Sequence, residues 1–174
     1  MKKYTFWLST LWLVLYQPVF ADGHTNQVKP APNGIEFPTD YIDWRVINIS
    51  HRTDHKSLRT ILGNDIAIKA ARAGKTNPWP DGAMLGKVVL KESKDPHWPT
   101  AIVPEKFIHA EFMLKGAEKY KSTGGWGYAR WVGEDLKVYG KDKSFAQECV
   151  ACHTPVKNND YVFTKLAPLV NKPK

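Results

Sequence analysis

From residue 45 onward the apolar positions keep a two-residue rhythm, broken at intervals by turn residues. Arg45–Arg52 (RVINISHR) alternates β-branched with polar side chains and predicts a strand. Leu58–Leu62 predicts a second, shorter one, closed by Gly63-Asn64. There the period changes. Asn64 is a helix-capping residue, and 65–72 reads as a helix that stops at Gly74. The loop Asn77-Pro78-Trp79-Pro80-Asp81-Gly82 leads into a strand over 83–91, and a second Pro/Trp loop spans 96–104. In 107–114, Ile108, Ala110, Phe112 and Leu114 share one face, and Phe107, His109, Glu111 and Met113 the other. A helical turn over 117–120 and the glycines 124 and 125 precede a strand over 126–132. A helix around 149–153 follows, with a short one over 160–165. Strands in series with flanking helices predict an α+β fold: an antiparallel sheet of about five strands.

The chain start has a different pattern. Lys2 and Lys3 precede an apolar run from Phe6 to Leu15, and Val19-Phe20-Ala21 has the small-x-small form of a signal-peptidase site. The run is too short for a comfortable membrane span, so 1–21 reads as an export signal, with no span in the mature chain. The expected organisation is a signal peptide (1–21), a flexible segment (22–38) and a single domain (39–174), delivered to the periplasm. The 174 residues carry a formal charge of +8, or +6 without Lys2 and Lys3, spread without clusters. Nucleic acid is therefore not expected as a partner, and an anionic redox partner is the more natural consequence. Seven tryptophans raise the aromatic share to 12%, which suggests a core or pocket lined with large rings.

Composition also isolates the chemistry. The only two cysteines lie in Cys149-Val150-Ala151-Cys152-His153. A thioredoxin-like pair would sit near the N-terminus after a strand, and a zinc site would need a second ligand pair at suitable spacing. His51 and His55 come nearest to one but straddle a turn-like segment. C-x-x-C-H is the signature of covalent haem attachment. Thiols one helical turn apart reach the two vinyl groups on one edge of the porphyrin, and His153 offers an imidazole to the iron. Phe145, Cys149 and Cys152 fall at i, i+4 and i+7, so one helix stripe is expected against the macrocycle. The expected cofactor is one haem c. After His153 the chain holds no Met or His, so the sixth iron position has no evident ligand.

Read in order, several stretches form a set: Asp40-Tyr41-Ile42-Asp43-Trp44, Leu58-Arg59-Thr60, Trp79-Pro80-Asp81-Gly82 followed by Lys87, Trp126-Gly127-Tyr128, and Cys-Val-Ala-Cys-His with Asp160-Tyr161-Val162-Phe163-Thr164. This set resembles the cytochrome P-460 family, which embraces the cytochrome c′-beta proteins, from about Tyr41 to Thr164. The resemblance implies a five-coordinate c-type haem cradled by an antiparallel sheet, in a periplasmic homodimer. P-460 members oxidise hydroxylamine and pass electrons to a soluble acceptor such as a small cytochrome; c′-beta members bind nitric oxide and carbon monoxide. The resemblance also implies that Lys87, five positions after Asp81-Gly82, bonds to the porphyrin edge, and that Arg59 approaches the distal pocket. Leu85-Gly86 precede Lys87 where the family pattern has a β-branched stretch.

The residues themselves add less. Lys87 shares a strand face with Leu85 and Val89, an unusual place for an ammonium without a partner. Arg59 serves equally as one end of a salt bridge on the sheet. Glu111 and His109 are alternative pocket groups able to accept a proton from a substrate N–H or O–H, although the simpler expectation puts their strand face toward solvent. His51, Arg52 and Arg130 have a parity that can also aim inward. Three readings remain: a hydroxylamine-oxidising enzyme using Arg59 and a carboxylate such as Glu111, a gas-binding protein, and a simple electron carrier.

Overall fold

The computed structural model describes residues 28–168; the expected signal peptide and residues 22–27 lie outside them. Six antiparallel strands form one sheet in simple chain order: β1 (Arg45–Arg52), β2 (Ser57–Gly63), β3 (Met84–Lys94), β4 (Ile102–Lys115), β5 (Trp126–Val132) and β6 (Lys137–Val138). The α+β expectation holds, with one strand more than foreseen. Between β2 and β3 runs α1 (Asp65–Arg72); α2 (Ala146–His153) carries the cysteines. The Asn64 side chain caps α1 by accepting from Ala67 N at 2.9 Å and also accepts from Met84 N, tying the helix start to β3. Gly74, at φ +66°, ends the helix in the left-handed conformation that glycine adopts freely.

Alternation along the strands sorts the side chains into two clusters, one on each face of the sheet. The first packs Ile47, Ile61, Leu85, Trp126 and Tyr128 against α1 and Trp79, with Cys149, Val150 and Tyr161 at its border. The second gathers Phe112, Ala110, Ala129 and Trp131 under Phe37, Tyr41 and Trp44, with edge-to-face ring pairs such as Phe37–Trp131 at 5.1 Å. Residues 28–38, expected to be flexible, belong to this second layer. Ala31 and Ile35 are buried, and Trp131 Nε1 donates to Lys29 O at 2.9 Å. Gly86 is a close-approach position: a Cβ there would meet the Phe112 ring at 2.9 Å, which explains the departure from a β-branched residue before Lys87.

Several local expectations are corrected. β4 starts at Ile102, so Pro104 lies inside a strand; it pairs with Glu92 beside a register shift, where a missing N–H is tolerated. A second shift leaves Ile108 unopposed and turns Phe107 toward the Phe112 cluster, so Phe107 does not share a face with His109. Residues 162–165 are not helical; the helical turn comes earlier, at Thr154–Asn159. Phe145 is buried against Tyr139 in the second cluster, so it is not part of an open helix stripe with the cysteines.

Candidate functional site

Cys149 and Cys152 are both free thiols; Cys149 borders the first cluster, and Cys152 is exposed. His153 ends the helix with its ring between Tyr128, at 5.4 Å, and Phe163, at 5.2 Å. Its Nδ1 donates to the carbonyl of Tyr161 at 2.6 Å. That bond fixes the tautomer and leaves Nε2 with its lone pair, the form in which a histidine binds a metal. Burial pushes the imidazole below its ordinary pKa, and the Tyr161 hydrogen bond opposes that only in part, so the ring is neutral. Among the described residues, no group of three or more His, Cys, Asp or Glu is gathered to hold a metal ion by itself.

The same sheet face carries a polar group centred on Glu111. In the register, Lys87 and Arg130 stand directly opposite it on either side. Its carboxylate pairs with Lys87 Nζ, with Arg130 Nη2 at 2.7 Å and with His109 Nε2 at 3.2 Å. Here the solvent-facing expectation is overturned: the Glu111 side chain is 18% exposed. Burial alone would raise its pKa, but the His109 hydrogen bond and the Lys87 and Arg130 charges outweigh that and hold it well below the usual carboxylate range. The charges of Lys87 and Glu111 reach the Cys149 thiol and the His153 imidazole, so the polar group and the cysteine helix share one environment.

Arg59 lies on this face, one alternation along β2 from Ile61, whose register partner is Lys87. It makes no pair with Glu111, and burial together with the Arg52 charge lowers its pKa. Arg52 pairs with Asp54 at the β1–β2 turn, and His51 turns to the opposite face to pair with Glu92. Arg130 also lies over the Tyr139 ring, with 4.6 Å from the guanidinium carbon to its centroid.

The residues on this face fit a haem. Tyr128, Leu85, Val89 and Met113 supply apolar and aromatic surface, and Cys149, Cys152 and His153 supply attachment and an axial nitrogen. Arg59 Nε, Arg130 Nε and Tyr128 Oη are each buried without a hydrogen-bond partner, which costs free energy unless each meets an acceptor. The two carboxylates of a haem are such acceptors. Sequence reasoning named Tyr128 and Tyr161 only within the ordered set and gave neither a role at the site. Tyr128 was accessible to it, since the two-residue alternation of β5 puts Trp126, Tyr128 and Arg130 together; the Tyr161 carbonyl was not, because it depends on a turn. No curated protein matches the chain. Residues 38–164 match the family model for cytochrome P460. With a haem-binding signature inside the matched span, the chain belongs to the cytochrome P460 family and is a haem cytochrome.

Proposed function

We propose that the protein is a periplasmic mono-haem c-type cytochrome that oxidises hydroxylamine, with the haem linked through Cys149 and Cys152 and His153 as iron ligand. The observation that carries the reading is Glu111, a carboxylate held ionised on the sheet face that Cys149 and His153 border. When bound, the haem supplies an iron with a position open to the substrate nitrogen and a path for the electrons removed.

This chain's residues do the rest. Tyr161 holds His153 in one tautomer. Glu111 receives hydrogen bonds from a substrate N–H or O–H, and then the proton. Arg59 and Arg130 present buried donors that orient anionic groups. Lys87 would provide a third covalent link through Nζ, with its ammonium proton passing to water, the N–C bond replacing a ring C–H, and the two electrons taken up by an oxidant of the peroxide class during maturation; Glu111 beside it holds the Lys87 side chain in place. Loss of that ammonium removes one of the charges that depress Glu111 and makes it a better base. Electrons then pass to a small soluble acceptor, and the functional unit is a homodimer.

Two observations favour a second reading, a gas-binding protein of the c′-beta kind: an ammonium engaged with Glu111 is not a nucleophile, and Leu85, Val89 and Met113 offer apolar cover for a diatomic ligand. Two measurements separate the readings. Hydroxylamine-dependent reduction of a dye is expected of the purified holoprotein, together with mass-spectrometric recovery of the Lys87 peptide joined to the haem peptide. A free Lys87 peptide and no dye reduction, with rapid carbon monoxide binding, would establish the gas-binding reading instead.

A further inference from the structure

The most deeply buried ion pair among the described residues takes no part in that chemistry. Lys115, at the end of β4, and Asp160, after the cysteine helix, are 6% and 8% exposed, and Lys115 Nζ donates to Asp160 Oδ1 at 2.6 Å. The second carboxylate oxygen accepts from Trp79 N at 2.7 Å, and the Asp160 carbonyl accepts from the Trp126 indole at 2.8 Å. Lys115 Nζ also lies over the Trp126 ring, 5.0 Å from its centroid. One residue therefore receives three donors from three separated parts of the chain.

The backbone they hold is an improbable one. Asp160 has φ +49° and Tyr161 φ +61°, two successive non-glycine residues in the left-handed region. Asp tolerates that region; a bulky Tyr is an outlier, which persists only when its surroundings over-determine it. The product of the turn is the carbonyl of Tyr161 pointing at His153 Nδ1.

We propose that Asp160, clamped by Lys115, Trp79 and Trp126, is a positioning residue: it fixes the turn that aims the Tyr161 carbonyl at His153, and so sets the orientation and basicity of the iron ligand. The inference rests on the reading that His153 ligates haem iron. A carbonyl firmly bonded to Nδ1–H makes the imidazole a stronger donor through Nε2, strengthening the iron–histidine bond and favouring ferric iron. An Asn at 160 keeps the shape and the left-handed tolerance. It loses the charge, however, and leaves the Lys115 ammonium in the core without its counter-ion, so the turn loosens.

The test uses the reduced and oxidised holoprotein. In Asp160→Asn the midpoint potential should rise and the iron–histidine stretching band of the ferrous protein should fall in frequency. Trp126→Phe, which keeps the ion pair but removes the indole donor together with part of a buried ring, should move both in the same direction by less; it carries the test if Asp160→Asn does not mature. Ile68→Ala, on the buried face of α1, should lower thermal stability and leave potential and band in place. A raised potential with an unmoved band reads the lost charge alone and overturns the positioning role. So does an Ile68→Ala shift as large as that of Asp160→Asn. If the unaltered protein shows no iron–histidine band at all, the ligand assignment fails rather than this inference.

Discussion

Glu111 stands between cations on its own sheet face, and its ionisation is the property most exposed to test. A group whose folded pKa lies below its unfolded value adds stability that is complete above the unfolded value, ordinarily 4.5, and is lost as pH falls through the folded one. Thermal melts between pH 7 and pH 3 should therefore show the native protein losing stability faster on acidification than Glu111→Gln. At neutral pH the variant should be weaker by about 2 kcal/mol, less than a fully buried pair would give because Lys87 and Arg130 remain partly exposed. On the enzymatic reading, the same substitution should cut hydroxylamine-dependent dye reduction on the order of 100-fold and leave the haem spectrum in place. Parallel acid slopes for the two proteins would remove the ion-paired carboxylate from the account. Of this polar group, Lys87 and Glu111 were legible as residue types on the correct strand face. Their pairing was not, because it depends on the β3–β4 register, which alternation leaves free by steps of two.

At the level of elements, legibility follows how local the cause is. The ends of α1 were readable because Asn64 and Gly74 act on their own neighbours, and β5 because its alternation runs unbroken; β1 was readable in extent, although a register shift at Ile47 interrupts its alternation. The missed features have distant causes. β6 is two residues held against Trp131 and Val132, and Phe107 changes face through a shift set by its β3 partner. Residues 160–165 were expected to form a short helix, but Asp160 is committed to Lys115, Trp79 and Trp126, and 162–168 carry no regular secondary structure. The capping claim has a direct check. Asn64→Ala removes acceptors for Ala67 N and Met84 N and the donor to Gly82 O, and should cost about 2 kcal/mol in denaturant unfolding with an unchanged visible spectrum. In α2 the attachment chemistry and the axial bond can be separated. His153→Ala should keep covalently bound haem while losing the iron–histidine band, whereas Cys149→Ala with Cys152→Ala should leave Lys87 as the sole remaining candidate anchor, visible as haem stain on a denaturing gel.

Across the whole molecule the sheet acts as a partition. One face is closed by rings from residues 37–44 and serves packing; the other carries the cysteine helix, the cations around Glu111 and the unpartnered donors of Arg59, Arg130 and Tyr128. Adjacent residues of β4 therefore belong to different tasks. Phe112 is 1% exposed in the ring-lined core, while Met113, one step along, borders the cluster that includes Cys149. Phe112→Ala removes a ring packed edge-on against Phe37, Tyr41, Trp44 and Trp131, and should cost about 3–5 kcal/mol, lowering the melting temperature by roughly 10 °C. Because the lost packing lies behind the sheet, carbon monoxide binding to the reduced protein should keep its native rate. Met113→Ala removes a partly exposed side chain and should cost less stability, yet it opens space on the face that Cys149 borders and should change that rate. The comparison is between neighbours on one strand, so a general loosening of β4 would affect both alike. Equal changes in carbon monoxide binding would mean that the sheet does not separate packing from ligand access; a rate that moves only with Met113 places ligand access on the face His153 shares with Glu111.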